Sequence, residues 1–151
     1  LPSQKIADGV VRIVDVEGYI SNVQVKGDGG GAMGLIEDML AHINDSYRMV
    51  LGELPVKSKN LPLRYPPLKQ LVIYALPFPK GAPTAPELLA RCDGAVLAEE
   101  QQAYLDLLAK IAAVTPETRL AEHPAFGRLT HRAYGVLIAR HTDHHFRQFG
   151  L

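Results

Sequence analysis

Apolar residues recur at helical spacing in three stretches of this chain and alternate in a fourth. From Leu35 to Leu51, "LIEDMLAHINDSYRMVL" carries a stripe of Leu35, Met39, His42, Ser46 and Met49, and Gly52 follows as a natural C′ residue. "LAEEQQAYLDLLAKIAAV" (Leu97 to Val114) opens on acidic residues, keeps Leu and Ile at helical spacing and ends before Pro116. The last helix is predicted from Thr130, a fair N-cap, to Gln148. "VVRIVDVEGYISNVQV" (Val10 to Val25) alternates as a strand does, although a poorly patterned helix is the other reading. "KGDGGGAMG" after it is a breaker and connector; it lacks the Lys-Ser/Thr of a phosphate loop.

Eight of the eleven prolines lie between Pro55 and Pro86, which makes 55–86 a stiff, extended crossover with room for one short helix, Leu68 to Leu76. Three clear helices, an ambiguous N-terminal element and this crossover predict an all-α bundle in a single domain over 1–151.

Composition narrows the functional classes. Sixteen basic residues balance sixteen acidic ones with no long like-charge run, which argues against nucleic acid or an anionic membrane as the main partner. No run approaches about 18 apolar residues, so no membrane span is expected. The N-terminus shows no signal pattern, and Cys92 is the single cysteine, read as a passive loop residue; a reducing cytoplasm fits.

Three of the six histidines fall at 141, 144 and 145. On a helix from Thr130, the positions Tyr134, Ile138, His141, His145 and Gln148 share one face, with Tyr134 and Ile138 marking it as inward. His144 falls to the side, roughly 60–80° away. His42 is centred in the apolar stripe of the earlier helix. A lone histidine there is most simply a hydrogen-bonded core residue, and histidines near a helix C-terminus also suit the macrodipole. Three imidazoles in one interior are costly unless satisfied, and a divalent transition metal satisfies His42, His141 and His145 together while leaving a coordination position open. Imidazole suits zinc, nickel and iron alike. Ser46 lacks a Ser-His-Asp grouping and reads, with Gln148 and Tyr134, as a residue beside the ligands or lining the cavity. Asp45 and Asp143 point sideways from the ligand stripes, and His131 reads as solvated. His123 reads as a loop-fixing residue, a cap on the bundle end near the site being the other reading.

"EHPAFGRLTHRAYGVLIARHTDHHFRQFGL" resembles the C-terminal signature of a DinB/YfiT-like family of bacterial proteins regarded as metalloenzymes, with its His-Pro-x-Phe-Gly loop, a helix, and then His-x-x-His-His-x-Arg-Gln-Phe. "MLAHINDSYRMVLGE" resembles that family's second helix, and "LPFPKGAPTAPELL" its crossover. The likeness runs roughly from Met33 to Leu151; 1–31 is poorly matched. It implies a four-helix bundle with a long crossover between the second and third bundle helices, often dimeric. It also implies a divalent metal on His42, His141 and His145, with Gln148 and Arg147 supporting them. Two departures stand out: "GGAMGL" replaces a tryptophan-bearing motif, and "THRAY" replaces a capping box that ends in tryptophan, leaving Tyr134 to line the cavity. The expected activity is that of a metal-dependent thiol S-transferase or isomerase using a low-molecular-weight thiol, or of a metal-dependent hydrolase acting on a small molecule. A non-catalytic metal- or small-ligand-binding bundle is the alternative.

Overall fold

The computed structural model describes residues 4–6, 9–16, 19–26, 31–77, 84–89 and 95–148, with residues 4–33 in backbone only. Cys92 lies outside the described residues. The N-terminal segment takes the strand alternative: β1 (Gln4–Ile6), β2 (Gly9–Val16) and β3 (Tyr19–Lys26) form an antiparallel meander in the order β1-β2-β3. Val11 pairs with Val25 and Ile13 with Val23, and the register shifts between Val14 and Asp15. The β-branched alternation that made this stretch a poor helix suits a pleated sheet. The bundle helix that the resemblance implies ahead of Leu35 is not among the described residues; strands occupy its place.

The rest is helical: α1 (Gly31–Leu51), α2 (Leu68–Tyr74), α3 (Leu97–Ala112) and α4 (His131–Gln148). Helix α1 begins four residues before Leu35 and runs through Gly34, past part of the expected breaker. Its other end follows the sequence closely. Gly52 takes φ +80°, its N–H bonds the Met49 carbonyl at 3.1 Å, and the Glu53 N–H bonds Arg48 at 2.8 Å. Those two bonds make a Schellman motif and satisfy carbonyls that the helix itself leaves open. At α4 the Thr130 hydroxyl accepts the Ala133 N–H at 3.2 Å, the N-cap expected of it.

Helix α1 is the central element: every residue from Met39 to Tyr47 is buried. Ile36, Met39, Leu40, Ile43 and Tyr47 pack with Tyr104 and Leu107 of α3 and Phe146 of α4. The polar members of that layer pair across helices. The Tyr47 and Thr142 hydroxyls bond at 2.8 Å, and the Asn44 amide donates to the Glu100 carboxylate at 2.7 Å. Leaving either half of such a pair unmet in the interior costs more than forming it gains, so these pairs fix the helix register.

Among its described residues the crossover holds an irregular run over 55–61, the turn Pro62–Arg64 and α2. Ile73 of α2 packs with Phe126 and Leu137, and Met49, Val50, Ala85, Leu88 and Tyr134 form the neighbouring layer. Arg140 of α4 reaches across α2, its guanidinium donating to the carbonyls of Val72, Ile73 and Leu76. A cation on the last carbonyls of a helix satisfies both their lone pairs and the dipole.

Candidate metal centre

Helix α1 presents His42 from its middle, and α4 presents His141 and His145 one turn apart. The Nε2 atoms of His42 and His141 stand 3.3 Å apart, and those of His145 and His141 3.0 Å. One ligand nitrogen from each of the three lies within 4.8 Å of the others, and no other group of three histidine, cysteine or carboxylate ligands forms among the described residues. Nitrogens sharing one tetrahedral zinc at about 2.05 Å would be about 3.3 Å apart, so the two separations from His141 suit a shared first-row ion.

The outer ring nitrogens decide which way the lone pairs face. His42 Nδ1–H donates to the Leu88 carbonyl at 3.1 Å, and His145 Nδ1–H donates to Gln148 Oε1 at 3.1 Å. A neutral imidazole that donates from Nδ1 offers a lone pair at Nε2, so His42 and His145 both turn bare acceptors toward His141. A single imidazole proton on His141 cannot serve both neighbours well; a shared cation can.

Burial keeps the rings neutral. It is the main cause that lowers His42, against the Leu88 hydrogen bond and the Asp45 charge, which raise it. His141 is pushed well below the usual histidine range, first by burial and then by His145 and His42. His145 is held down to about 4 by burial and His42. Neutral imidazole is the form that ligates a metal.

Other candidate residues take different places. The Ser46 hydroxyl donates to the His42 carbonyl at 2.9 Å, so it binds the helix backbone and not the imidazole. Tyr134 is buried and donates to the Ala121 carbonyl at 2.7 Å, tying α4 to the preceding loop. His131 bonds the Thr118 carbonyl at 2.9 Å through Nε2. Asp45 pairs with Arg48 at 2.8 Å, and Asp143 with Arg147 at 2.9 Å. His123 fixes its loop as expected: Nδ1 accepts the N–H groups of Ala125 at 3.1 Å and Phe126 at 3.2 Å, while its backbone bridges to Gly127. Sequence reasoning missed Leu88, because a main-chain carbonyl carries no signature.

The family model of the DinB superfamily matches residues 36–149. The chain belongs to the DinB superfamily. The match begins inside α1 and takes in all three histidines of the centre, and the strands lie ahead of it. Comparisons with curated proteins and with solved structures returned no match. Among the described residues of this DinB-superfamily chain, no helix is long and apolar enough to cross a membrane.

Proposed function

We propose that this protein is a divalent-metal-dependent enzyme whose zinc, nickel or iron is held by His42, His141 and His145, with a coordination position left for a small substrate. The observation that carries the reading is the convergence of Nε2 lone pairs, two of them fixed by Nδ1–H donation. A bound divalent ion would make a water or thiol acidic enough to attack near neutral pH, or polarise a carbonyl. The chain's own part is to hold three neutral imidazoles, keep their tautomers and bury the cluster. Family likeness favours a thiol S-transferase or isomerase with a low-molecular-weight thiol; metal-dependent hydrolysis is the other chemistry open to the site. A homodimer in the cytoplasm completes the proposal.

One observation favours a second reading. Asp45 and Asp143, the acids nearest the ligands in sequence, are engaged by Arg48 and Arg147, so neither is presented as a general base. A non-catalytic metal- or small-ligand-binding bundle would need none.

Metal analysis of untagged protein beside His145→Ala tests the site. Near-stoichiometric metal in the parent, lost in the variant together with melting temperature, is expected. An equal metal content in both would remove His145 from the ligand set. Cobalt-loaded protein then separates the readings: a visible band that shifts on adding a low-molecular-weight thiol supports an open position, and an unmoved band supports the binding bundle.

A further inference from the structure

His144 lies off the ligand stripe, yet its ring is tied to the site. Gln148 Nε2 donates to His144 Nε2 at 3.2 Å, while the other end of the same amide, Oε1, accepts from His145 Nδ1 at 3.1 Å. A carboxamide has one donor end and one acceptor end, and turning it over exchanges them. As long as His144 Nε2 acts as the acceptor, the amide oxygen has to face His145, and His145 has to carry its proton on Nδ1. Turned over, the amide oxygen would accept a hydrogen bond from His144 Nε2–H and its N–H would donate to His145 Nδ1. The His145 proton would then sit on Nε2, between that nitrogen and His141 Nε2, 3.0 Å away. No proton is gained or lost between the two arrangements; it moves from one ring nitrogen to the other.

The geometry points to His144 as a positioning residue: by accepting from the Gln148 amide it fixes the amide's orientation and so holds the His145 Nε2 lone pair toward His42 and His141. This rests on the metal reading for its purpose and stands apart from it in its geometry. His144 touches no reacting atom; its ring meets that of His145 edge-on, with centroids 5.4 Å apart, and its hold on the His145 tautomer runs through Gln148. Orienting partners of metal-binding histidines typically alter affinity by about 10–100-fold when removed. An outer partner acting through an exposed amide belongs at the lower end.

The test joins three variants with two readouts. Long-range nitrogen–proton NMR on metal-free protein near pH 8 reports which ring nitrogen of His145 carries the proton, and chelator competition with zinc reports affinity. In the parent the proton belongs on Nδ1. His144→Phe, which removes the acceptor, is expected to populate the Nε2–H form of His145 and weaken zinc about 10-fold. Gln148→Glu placed on His144→Phe is expected to restore both, since a carboxylate offers His145 an acceptor from either oxygen and has no donor end to present. Gln148→Ala, at an exposed position, should match His144→Phe, and His144→Leu, which also lacks an acceptor, stands in if the phenylalanine variant does not fold. A parent-like tautomer in the His144 variant, whatever Gln148→Ala shows, or failure of the glutamate to restore the Nδ1–H form, overturns the inference. If the parent binds no zinc, nickel or iron(II), the metal reading fails, and the NMR result still decides the role of His144.

Discussion

His123 shows how a single residue in this chain can set a pH limit. Its Nδ1 accepts two backbone N–H groups, and burial pushes the ring down to about 4. Protonation would put a hydrogen where two donors already point. In the unfolded chain the same ring titrates near its ordinary 6.5, so between roughly pH 6.5 and 4 the unfolded state binds the extra proton. Stability is therefore complete above about 6.5 and falls as the solution is acidified through that window, by an order of 2–3 kcal/mol for this ring. His123→Asn, which keeps an acceptor oxygen without a titrating ring, is expected to flatten the profile by about one proton. Urea titrations of metal-free protein at pH 7, 5.5 and 4.5 measure it, and an unchanged slope would mean the ring is not held neutral. The sequence pointed to a loop-fixing role here because the His-Pro-x-Phe-Gly pattern sits between helices; it held no sign of the two amides that enforce it.

Among the elements, the turns separate two glycines that look alike in sequence. Gly52 ends α1 at φ +80°, and a methyl group added there would meet nothing within 4 Å, so Gly52→Ala should cost only the left-handed conformation, about 1 kcal/mol. Gly127 takes φ +67° beneath the Arg64 guanidinium, whose Nη2 would lie 3.0 Å from an added Cβ. Gly127→Ala therefore also displaces Arg64 from its partners Ser58 and Glu122, and its loss in urea midpoint should exceed that of Gly52→Ala. Equal losses would mean that Arg64 yields freely. Helical spacing, the α1 stop and the Thr130 cap were readable because each depends on neighbours in sequence. The strands were only half readable, since a three-stranded meander is decided by pairing such as Val11 with Val25, which no single window contains. Arg140 on the carbonyls of α2 was invisible for the same reason: 64 residues separate it from Leu76.

At the level of the whole molecule, the three histidines join α1 to α4 at points 99 residues apart in the chain. Metal that binds only the folded form should raise its stability by about 2.7 kcal/mol at a hundredfold excess over Kd, roughly 5–10 °C in melting temperature for a chain of this size. Scanning calorimetry with and without zinc, nickel or iron(II) checks this; no shift with any of them would leave the cluster as a hydrogen-bonded core. The histidine stripes could be read because both lie on regular helices, where spacing fixes direction. Reaction and substrate could not, because they depend on what the fold gathers around the cluster.

The bond from His42 to the carbonyl of Leu88 has a bearing on how this molecule can change over generations. Its acceptor belongs to the main chain, so any apolar side chain that keeps the buried packing of Leu88 still supplies it. What has to persist is the backbone course of the turn Pro86–Leu88 beside α1. The turn can thus exchange one apolar residue for another, whereas gaining or losing one residue within it would carry the carbonyl away from its imidazole. The centre constrains spacing where it leaves identity alone.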